Sequence, residues 1–115
     1  MVKKPAEQKI AVTENLRGGE GSTSIQSMLD QQEMYDKGRL FGRILLKPGC
    51  SIGYHVHENE MEAYTVIRGT ALYDDNGIKT ELEPGDTTYT PCGQGHSVLN
   101  NGTEDLEIIA LILFK

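Results

Sequence analysis

The segment HVHENEMEAYTVIRG, residues 55–69, decides the fold class, because two strand-like runs flank a polar tip. Its second run is rich in β-branched and aromatic side chains, which suit the pleated surface of a sheet. Alternate residues of a strand face the same side, so His55 and His57 direct both imidazoles toward one interior, whereas Glu58 leaves by the opposite face. The segment therefore predicts paired strands with two histidines on the inner face.

Turn signals recur along the rest of the chain and divide it into short strands. The clearest are KPG at 47–49, DNG at 75–77, EPGD at 83–86 and NNG at 100–102. Turns spaced by roughly eight to twelve residues, with about eight or nine strands between them, indicate an all-β antiparallel sandwich or barrel. Residues 24–35 allow two interpretations, a helix with an N-cap or a strand followed by a loop.

The length of the chain predicts a simple domain organisation. A chain of 115 residues has the size of one domain and can bury one hydrophobic core. We expect residues 1–20 to form a flexible N-terminal arm that can supply an edge strand, because they are polar and run into the glycine-rich stretch RGGEG at 17–21. Residues 21–115 are expected to form a single barrel domain.

Charge and hydropathy argue against several classes of partner. The 17 acidic residues outnumber the 11 basic ones, which gives a net charge of -6 and disfavours a nucleic-acid or anionic-membrane surface. No apolar run approaches the roughly 20 residues that span a bilayer, and the N-terminus lacks the apolar core of a secretory signal. The sequence therefore predicts a cytoplasmic protein with no nucleic-acid or membrane partner, in which Cys50 and Cys92 are free, reduced thiols.

A third histidine extends the pair to a candidate metal site. His96 begins another predicted strand, directly after the turn PCGQG. Imidazole nitrogens and carboxylate oxygens together suit divalent first-row transition metals. Three histidines and one carboxylate, drawn from neighbouring strands of a barrel, would form such a mixed site. The alternative is a pair of partly buried histidines in a hydrogen-bonded core.

Two spaced motifs give the chain a resemblance to the cupins. The first cupin motif is a glycine, His-x-His, a glutamate and a second glycine at fixed intervals, filled here by Gly49, His55, His57, Glu62 and Gly69. The second motif is a glycine, Pro-x-Gly, a histidine and an asparagine, filled here by Gly85, Pro91, Gly93, His96 and Asn100. Every fixed position of both motifs is matched, so the chain resembles a small single-domain cupin. We expect the asparagine to act as a turn residue.

The resemblance implies a cupin double-stranded β-helix, which is a jelly-roll β-barrel built from two antiparallel sheets. It also implies one divalent transition metal inside the barrel (Mn, Fe, Co, Ni, Cu or Zn), bound by His55, His57, Glu62 and His96. Glu58 and Glu60 are then expected to be solvated residues of the tip. Many cupins are homodimers that associate through sheet edges, and we expect the same of this chain.

The resemblance offers two classes of function, both with a small molecule bound inside the barrel. The first is a metal-dependent enzyme that acts on a small polar metabolite and is of the dioxygenase, isomerase or epimerase, or decarboxylase type. The second is a non-catalytic module that binds a sugar or a carboxylate. The complete set of implied ligands favours the enzyme.

Two further side chains are candidates for contact with a substrate. Tyr64 shares the strand face of Glu62, which makes its hydroxyl a candidate catalytic group; the alternative is a core aromatic residue with its hydroxyl at the rim. Arg43 lies on a predicted strand before the first motif. It could pair with a substrate carboxylate or lie on the solvated face.

Overall fold

Ten β-strands account for most of the chain in the computed structural model, which describes residues 1–115. They are β1 (Lys9–Glu14), β2 (Ser22–Leu29), β3 (Gly38–Leu46), β4 (Ser51–Val56), β5 (Glu60–Arg68), β6 (Ala71–Asp75), β7 (Ile78–Leu82), β8 (Thr87–Thr90), β9 (Gly95–Leu99) and β10 (Leu106–Phe114). Two short 3-10 helices, Pro5–Glu7 and Leu16–Gly18, complete the secondary structure. No helix is long and apolar enough to cross a membrane.

The strands form two antiparallel sheets that face each other. One sheet has six strands in the order β1-β2-β3-β10-β5-β8, and the other has four in the order β4-β9-β6-β7. The chain changes sheet at each step from β3 to β6 and again from β7 to β10, so the first-motif strands β4 and β5 lie in opposite walls. The predicted all-β architecture is confirmed.

The hydrophobic core lies between the inner faces of the two sheets. β10 runs through the six-stranded sheet between β3 and β5, and its alternate residues Leu106, Ile108, Ala110 and Ile112 are at most 3% exposed. Such alternation is typical of a strand with one buried face. Because full burial of a large aliphatic side chain contributes about 1.5–3 kcal/mol, β10 holds the larger sheet against the core.

Residues 24–35 begin in β2 and continue into a turn, so the strand-and-loop interpretation is correct. β2 pairs with β1 along one edge and with β3 along the other. A strand paired on both edges satisfies its backbone amide and carbonyl groups within the sheet. This pairing outweighs the weak local preference for a helix.

Residues 9–14 of the predicted N-terminal arm form β1, the outermost strand of the six-stranded sheet. β1 pairs with β2 from Lys9 opposite Ser27 to Glu14 opposite Ser22, and it raises the number of strands above the predicted eight or nine. Its side chains are exposed throughout. Flexibility in the rest of the arm, the domain boundary after residue 20 and association through a sheet edge all stay predictions.

A β-bulge in β4 turns His55 toward the core. Ile52 lies opposite Val98 and His55 lies opposite His96, so three steps along β4 match two steps along β9. The extra residue changes the side-chain parity, and for that reason Ile52 and His55 both face inward despite their odd spacing. The first histidine of the motif therefore owes its direction to the bulge as well as to strand alternation.

The 3-10 helix Leu16–Gly18 crosses β4 through a contact between two glycines. A Cβ atom on Gly53 would lie 2.0 Å from the Arg17 carbonyl oxygen, and one on Gly19 would lie 2.2 Å from the Ser51 carbonyl oxygen. Both distances are far inside van der Waals contact, so only glycine permits this approach. The crossing covers β4, which is an edge strand of the four-stranded sheet.

Asn100 follows β9 in a turn, as predicted, and its side chain is also fully buried. Its Nδ2 donates to the carbonyl oxygens of Leu46 and Glu104 at 2.8 and 2.9 Å. Its Oδ1 accepts from the Gly102 amide at 3.0 Å. These three hydrogen bonds tie the end of β3 to the loop that precedes β10.

Replacing Asn100 with alanine is expected to lower the free energy of unfolding by about 3 kcal/mol, because two carbonyl groups and one amide lose their partner. Asn101→Ala removes the neighbouring exposed side chain. That control should change the free energy of unfolding by less than about 0.5 kcal/mol. Urea unfolding followed by circular dichroism measures both variants, and equal stabilities would contradict the structural role of Asn100.

Candidate metal centre

Four side chains from both sheets converge inside the barrel. His55 lies on β4 and His57 directly after it, His96 lies on β9, and Glu62 comes from β5 in the opposite sheet. Their ligand atoms all lie within 4.8 Å of one another. His57, Glu62 and His96 are at most 3% exposed, and His55 is partly buried. The structure therefore brings together the four side chains of the predicted ligand set.

Two of the imidazoles are held through their Nδ1 atoms, which leaves Nε2 facing the centre. His55 Nδ1 lies 2.8 Å from the carbonyl oxygen of Gly53. His57 Nδ1 lies 2.6 Å from the carboxylate of Glu60. Carbonyl and carboxylate oxygens can only accept a hydrogen bond, so both Nδ1 atoms carry a proton. The Nε2 atoms of the neutral rings are then free to act as metal ligands.

The third imidazole, His96, is held by hydroxyl groups. Its Nδ1 lies 2.7 Å from the Tyr73 hydroxyl and 3.1 Å from Thr90 Oγ1, and these two hydroxyl groups are 3.1 Å apart. Tyr64 stacks on the ring of His96 with a centroid separation of 5.0 Å. Hydrogen bonds at the edge of the ring and stacking on its face together fix its orientation.

The central atoms have the spacing expected of ligands around one ion. His96 Nε2 lies 3.0 Å from His57 Nε2 and 3.2 Å from His55 Nε2. Glu62 Oε1 lies 3.0 Å from both His57 Nε2 and His96 Nε2. Metal–ligand bonds of about 2.1 Å at right angles separate neighbouring ligand atoms by about 3.0 Å. The donor set therefore fits one divalent transition metal.

Metal binding requires deprotonated ligands, and the pKa directions favour that state for Glu62 and His55 but not for His57. Burial raises the pKa of Glu62, but the neighbouring His57 and His96 outweigh it and lower that pKa to about 2. Burial lowers the pKa of His55 to about 4, so this imidazole is neutral at neutral pH. Burial also lowers the pKa of His57, but the carboxylates of Glu62 and Glu60 outweigh burial and bring the pKa above its ordinary value.

A cavity of about 120 Å³ adjoins the ligand cluster. Its wall is largely apolar and consists of Leu16, Ile25, Leu40, Ile44, Ile52, Tyr64 and Ile112. Its polar lining consists of His55, His57, Glu62, Arg17 and Arg39. Since a cavity of about 150 Å³ holds benzene, this one suits a ligand of about six heavy atoms.

Two arginines bring positive charge to the cavity, and only one of them is neutralised. Arg39 forms a bidentate pair with Glu60, in which Nε and Nη2 each lie 2.8 Å from a carboxylate oxygen. Arg17 is the one arginine without an ion pair, because the other three pair with Glu60, Glu107 and Glu104. Arg17 also has a left-handed backbone with a φ of 55°, which is unfavourable for a residue with a side chain. Neither Arg17 nor Arg39 was among the site residues predicted from the sequence.

The prediction that Glu60 is a solvated tip residue is wrong. Its side chain is 12% exposed, and its carboxylate joins His57 Nδ1 to Arg39. Asn59 has a φ of 60°, which turns the chain back so that β5 begins beside His57. Asparagine favours this conformation, so Asn59 was the available signal for the position of Glu60. Glu58 is exposed, as predicted.

Of the two alternatives for Arg43, the structure supports the outer face of the sheet and not contact with a substrate carboxylate. Arg43 pairs with Glu107 at 2.8 Å on the outer face of the six-stranded sheet. Its neighbour Ile44 lines the cavity, and strand alternation sends the two side chains to opposite faces. Cys50 and Cys92 are free.

Tyr64 faces inward with Glu62 and belongs to the hydrophobic core. Its side chain is 2% exposed and it lines the cavity. Burial, and then the charge of Glu62, raise the pKa of Tyr64 well above its ordinary value, so the hydroxyl stays protonated. Its catalytic role stays a prediction.

Comparison with known proteins agrees with this architecture. The family model of the cupin domain matches residues 42–112. An oxalate-binding protein of Thermotoga maritima is 40% identical over 99 residues, which cover 86% of this chain and 82% of that protein.

Two solved structures extend the comparison to the fold. The crystal structure of a predicted oxalate decarboxylase from Thermotoga maritima has a TM-score of 0.95 and 37% identity, and the match covers 100% of both chains. A protein of Klebsiella pneumoniae with a double-stranded β-helix domain has a TM-score of 0.68 and 29% identity over 77% of this chain and 74% of that one. The two antiparallel sheets are thus the predicted double-stranded β-helix, and the chain belongs to the cupin family.

Proposed function

We propose that the protein binds a small dicarboxylate of the oxalate type at a divalent metal ion held by His55, His57, Glu62 and His96. The observation that carries this proposal is Arg17, an exposed arginine without an ion pair that is among the residues lining the same small cavity as the metal-ligand cluster. A dicarboxylate has two negative ends, and the bound metal ion and Arg17 would give the cavity two positive poles to receive them. The name of the Thermotoga maritima oxalate-binding protein supports the same ligand class.

The charge of the cavity matches a dianion. A divalent ion would bring two positive charges and Glu62 brings one negative charge, so the ion and its ligands would keep one positive charge in excess. Arg17 adds a second positive charge, whereas Arg39 is already neutralised by Glu60. The total balances the two negative charges of a dicarboxylate.

The apolar wall strengthens this electrostatic match. Aliphatic side chains exclude water from around the ligand, and charge interactions are stronger where the effective dielectric constant is low. The cavity volume of about 120 Å³ also suits a small ligand. A bound divalent cation would supply Lewis acidity and open coordination positions for carboxylate oxygens.

Removal of a ligand side chain is expected to weaken metal binding strongly. His57→Ala and His96→Ala each delete one nitrogen donor, and we expect the affinity for Mn(II) and Zn(II) to fall by at least about 100-fold. Isothermal titration of metal-stripped protein measures the affinity, and elemental analysis of the purified protein identifies the ion. Glu58→Ala removes an exposed carboxylate from the same segment and serves as the control. Unchanged binding by either histidine variant would exclude this metal site.

Neutralising Arg17 is expected to weaken the binding of oxalate to the metal-loaded protein. Arg17→Gln removes the second positive pole, and the loss of a charged hydrogen-bonding partner of about 1.5–3 kcal/mol corresponds to roughly 10- to 100-fold in the dissociation constant. Acetate has one carboxylate and should bind equally weakly to both proteins. Titration calorimetry with the two anions makes the measurement.

Arg43→Gln is the matched control for that experiment, because Arg43 carries the same charge on the outer face of the sheet. It should leave oxalate binding unchanged. If Arg17→Gln and Arg43→Gln bind oxalate equally well, the two-pole arrangement is not the basis of recognition.

Decarboxylation of oxalate at the same site is the second candidate function, because the protonated hydroxyl of Tyr64 lines the cavity beside Glu62. Cleavage of the carbon–carbon bond of oxalate yields carbon dioxide and formate, with the uptake of one proton and no net redox change. A hydroxyl that stays protonated at neutral pH can donate a hydrogen bond to the carboxylate of the substrate during such a reaction.

A turnover assay separates the two candidates. The metal-loaded protein is incubated with oxalate, and formate is measured over time. If the protein is an enzyme, formate accumulates and Tyr64→Phe lowers the rate by about 100-fold or more. Tight oxalate binding without formate in the presence of Mn(II), Fe(II), Ni(II) or Zn(II) would leave binding alone as the function.

A further inference from the structure

The pair formed by Arg39 and Glu60 lies behind one ligand histidine, on the side away from the metal-ligand cluster. Glu60 Oε2 lies 2.6 Å from His57 Nδ1 and 2.8 Å from Arg39 Nη2, and Glu60 Oε1 lies 2.8 Å from Arg39 Nε. The carboxylate is therefore held by a planar fork while it accepts a hydrogen bond from the imidazole. An ionised acceptor makes that hydrogen bond shorter and stronger than one between neutral groups.

Two local departures from regular backbone geometry accompany the contact between Arg39 and Glu60. The tip residue Asn59 is left-handed and turns Glu60 toward His57. In β3, Leu40 lies opposite Ile112, but the next pair is Gly38 opposite Leu113, so Arg39 is the extra residue of a bulge. A bulge redirects its side chain away from strict alternation, and Arg39 reaches the cavity and Glu60 as a result.

His57 differs from the other two histidines in the charge of its partner. His55 is held by the neutral carbonyl of Gly53, and His96 is held by the neutral hydroxyl groups of Tyr73 and Thr90. Glu60 is thus the one carboxylate that contacts a ligand histidine from outside the cluster. A carboxylate in this position fixes the tautomer and orientation of the ring and increases the basicity of the nitrogen that faces the metal.

From this geometry we infer that Glu60 is a positioning residue that presents His57 Nε2 to the metal, and that Arg39 acts through Glu60 by holding its carboxylate in place. The inference rests on the proposed metal centre and adds to it a control of metal affinity from outside the ligand set. The alternative is that Arg39 and Glu60 form only an isolated surface ion pair. Such a pair contributes little to stability, and its removal would leave metal affinity unchanged.

Metal titrations test the role of Glu60. Mn(II) and Zn(II) are titrated into metal-stripped wild-type protein, Glu60→Ala, Glu60→Gln and Glu58→Ala. We expect Glu60→Ala to weaken metal binding by about 10- to 100-fold, and Glu60→Gln to weaken it less because its amide oxygen still accepts a hydrogen bond. Glu58→Ala should match the wild type, since its side chain is exposed on the same tip. Wild-type affinity in Glu60→Ala would overturn the inference.

A double variant tests whether Arg39 acts through Glu60. Arg39→Gln alone should weaken metal binding by less than Glu60→Ala does. In the combined variant, the loss should equal that of Glu60→Ala, because Arg39 has no route to His57 once the carboxylate is gone. If the fold-loss of metal affinity in the combined variant equals the product of the two single-variant losses, Arg39 acts independently of Glu60 and its assigned role is wrong.

The tautomer of His57 provides a readout that does not require metal. Nitrogen-15 spectra of the metal-free protein at about pH 8.5, where histidines are largely neutral, distinguish a proton on Nδ1 from one on Nε2. We expect wild-type His57 to carry its proton on Nδ1 and Glu60→Ala to shift it toward Nε2, with His55 unchanged as the internal reference. An unchanged His57 tautomer would overturn the inference. Failure of the wild type to bind metal would instead overturn the proposed function.

Discussion

Three imidazoles and a carboxylate lie between the two sheets, and the buried His57, Glu62 and His96 would each cost several kcal/mol there without a partner. The structure provides partners for the outer atoms of these groups and for the inner atoms in different ways. Gly53, Glu60, Tyr73 and Thr90 satisfy the outer nitrogens, and the inner atoms are left facing one another. The inner Nε2 atoms and the Glu62 carboxylate are all acceptors. They repel one another when they converge on one point unless a positive charge lies between them. The rest of the barrel is arranged so that these groups meet.

The positions of these partners depend on local departures from regular strand geometry. The bulge in β4 turns His55 inward, and the bulge in β3 directs Arg39 toward Glu60. The glycine crossing of Gly19 and Gly53 brings the 3-10 helix Leu16–Gly18 against β4. That contact also solves a problem of sheet architecture, because β4 is an edge strand whose free backbone groups would otherwise invite pairing with another chain. The Ser51 amide donates to the Glu20 carbonyl at 2.9 Å and closes that edge.

The ligand set and the fold class could be predicted from the sequence because both depend on local patterns. The two motifs and the alternation of apolar residues are encoded in short segments, and they led to His55, His57, Glu62 and His96. Glu60 and Arg39 could not be placed in the same way, because a bulge or a left-handed tip residue changes side-chain parity without a strong local signal. The position of Arg17 beside the cavity depends on a contact between chain segments about thirty-five residues apart. Hydrophobic periodicity gives no information about such a contact.

The four ligand side chains do not come from one sheet. His55, His57 and His96 belong to the four-stranded side of the barrel, whereas Glu62 belongs to the six-stranded side. An ion held among them would cross-link the two walls, and its binding free energy would be released only when both walls are in place. Unfolding would then be linked to the concentration of free metal, with a stabilisation that grows by about 1.4 kcal/mol for each tenfold increase above the dissociation constant. The barrel would therefore resist unfolding most strongly when the metal ion is bound between its two walls.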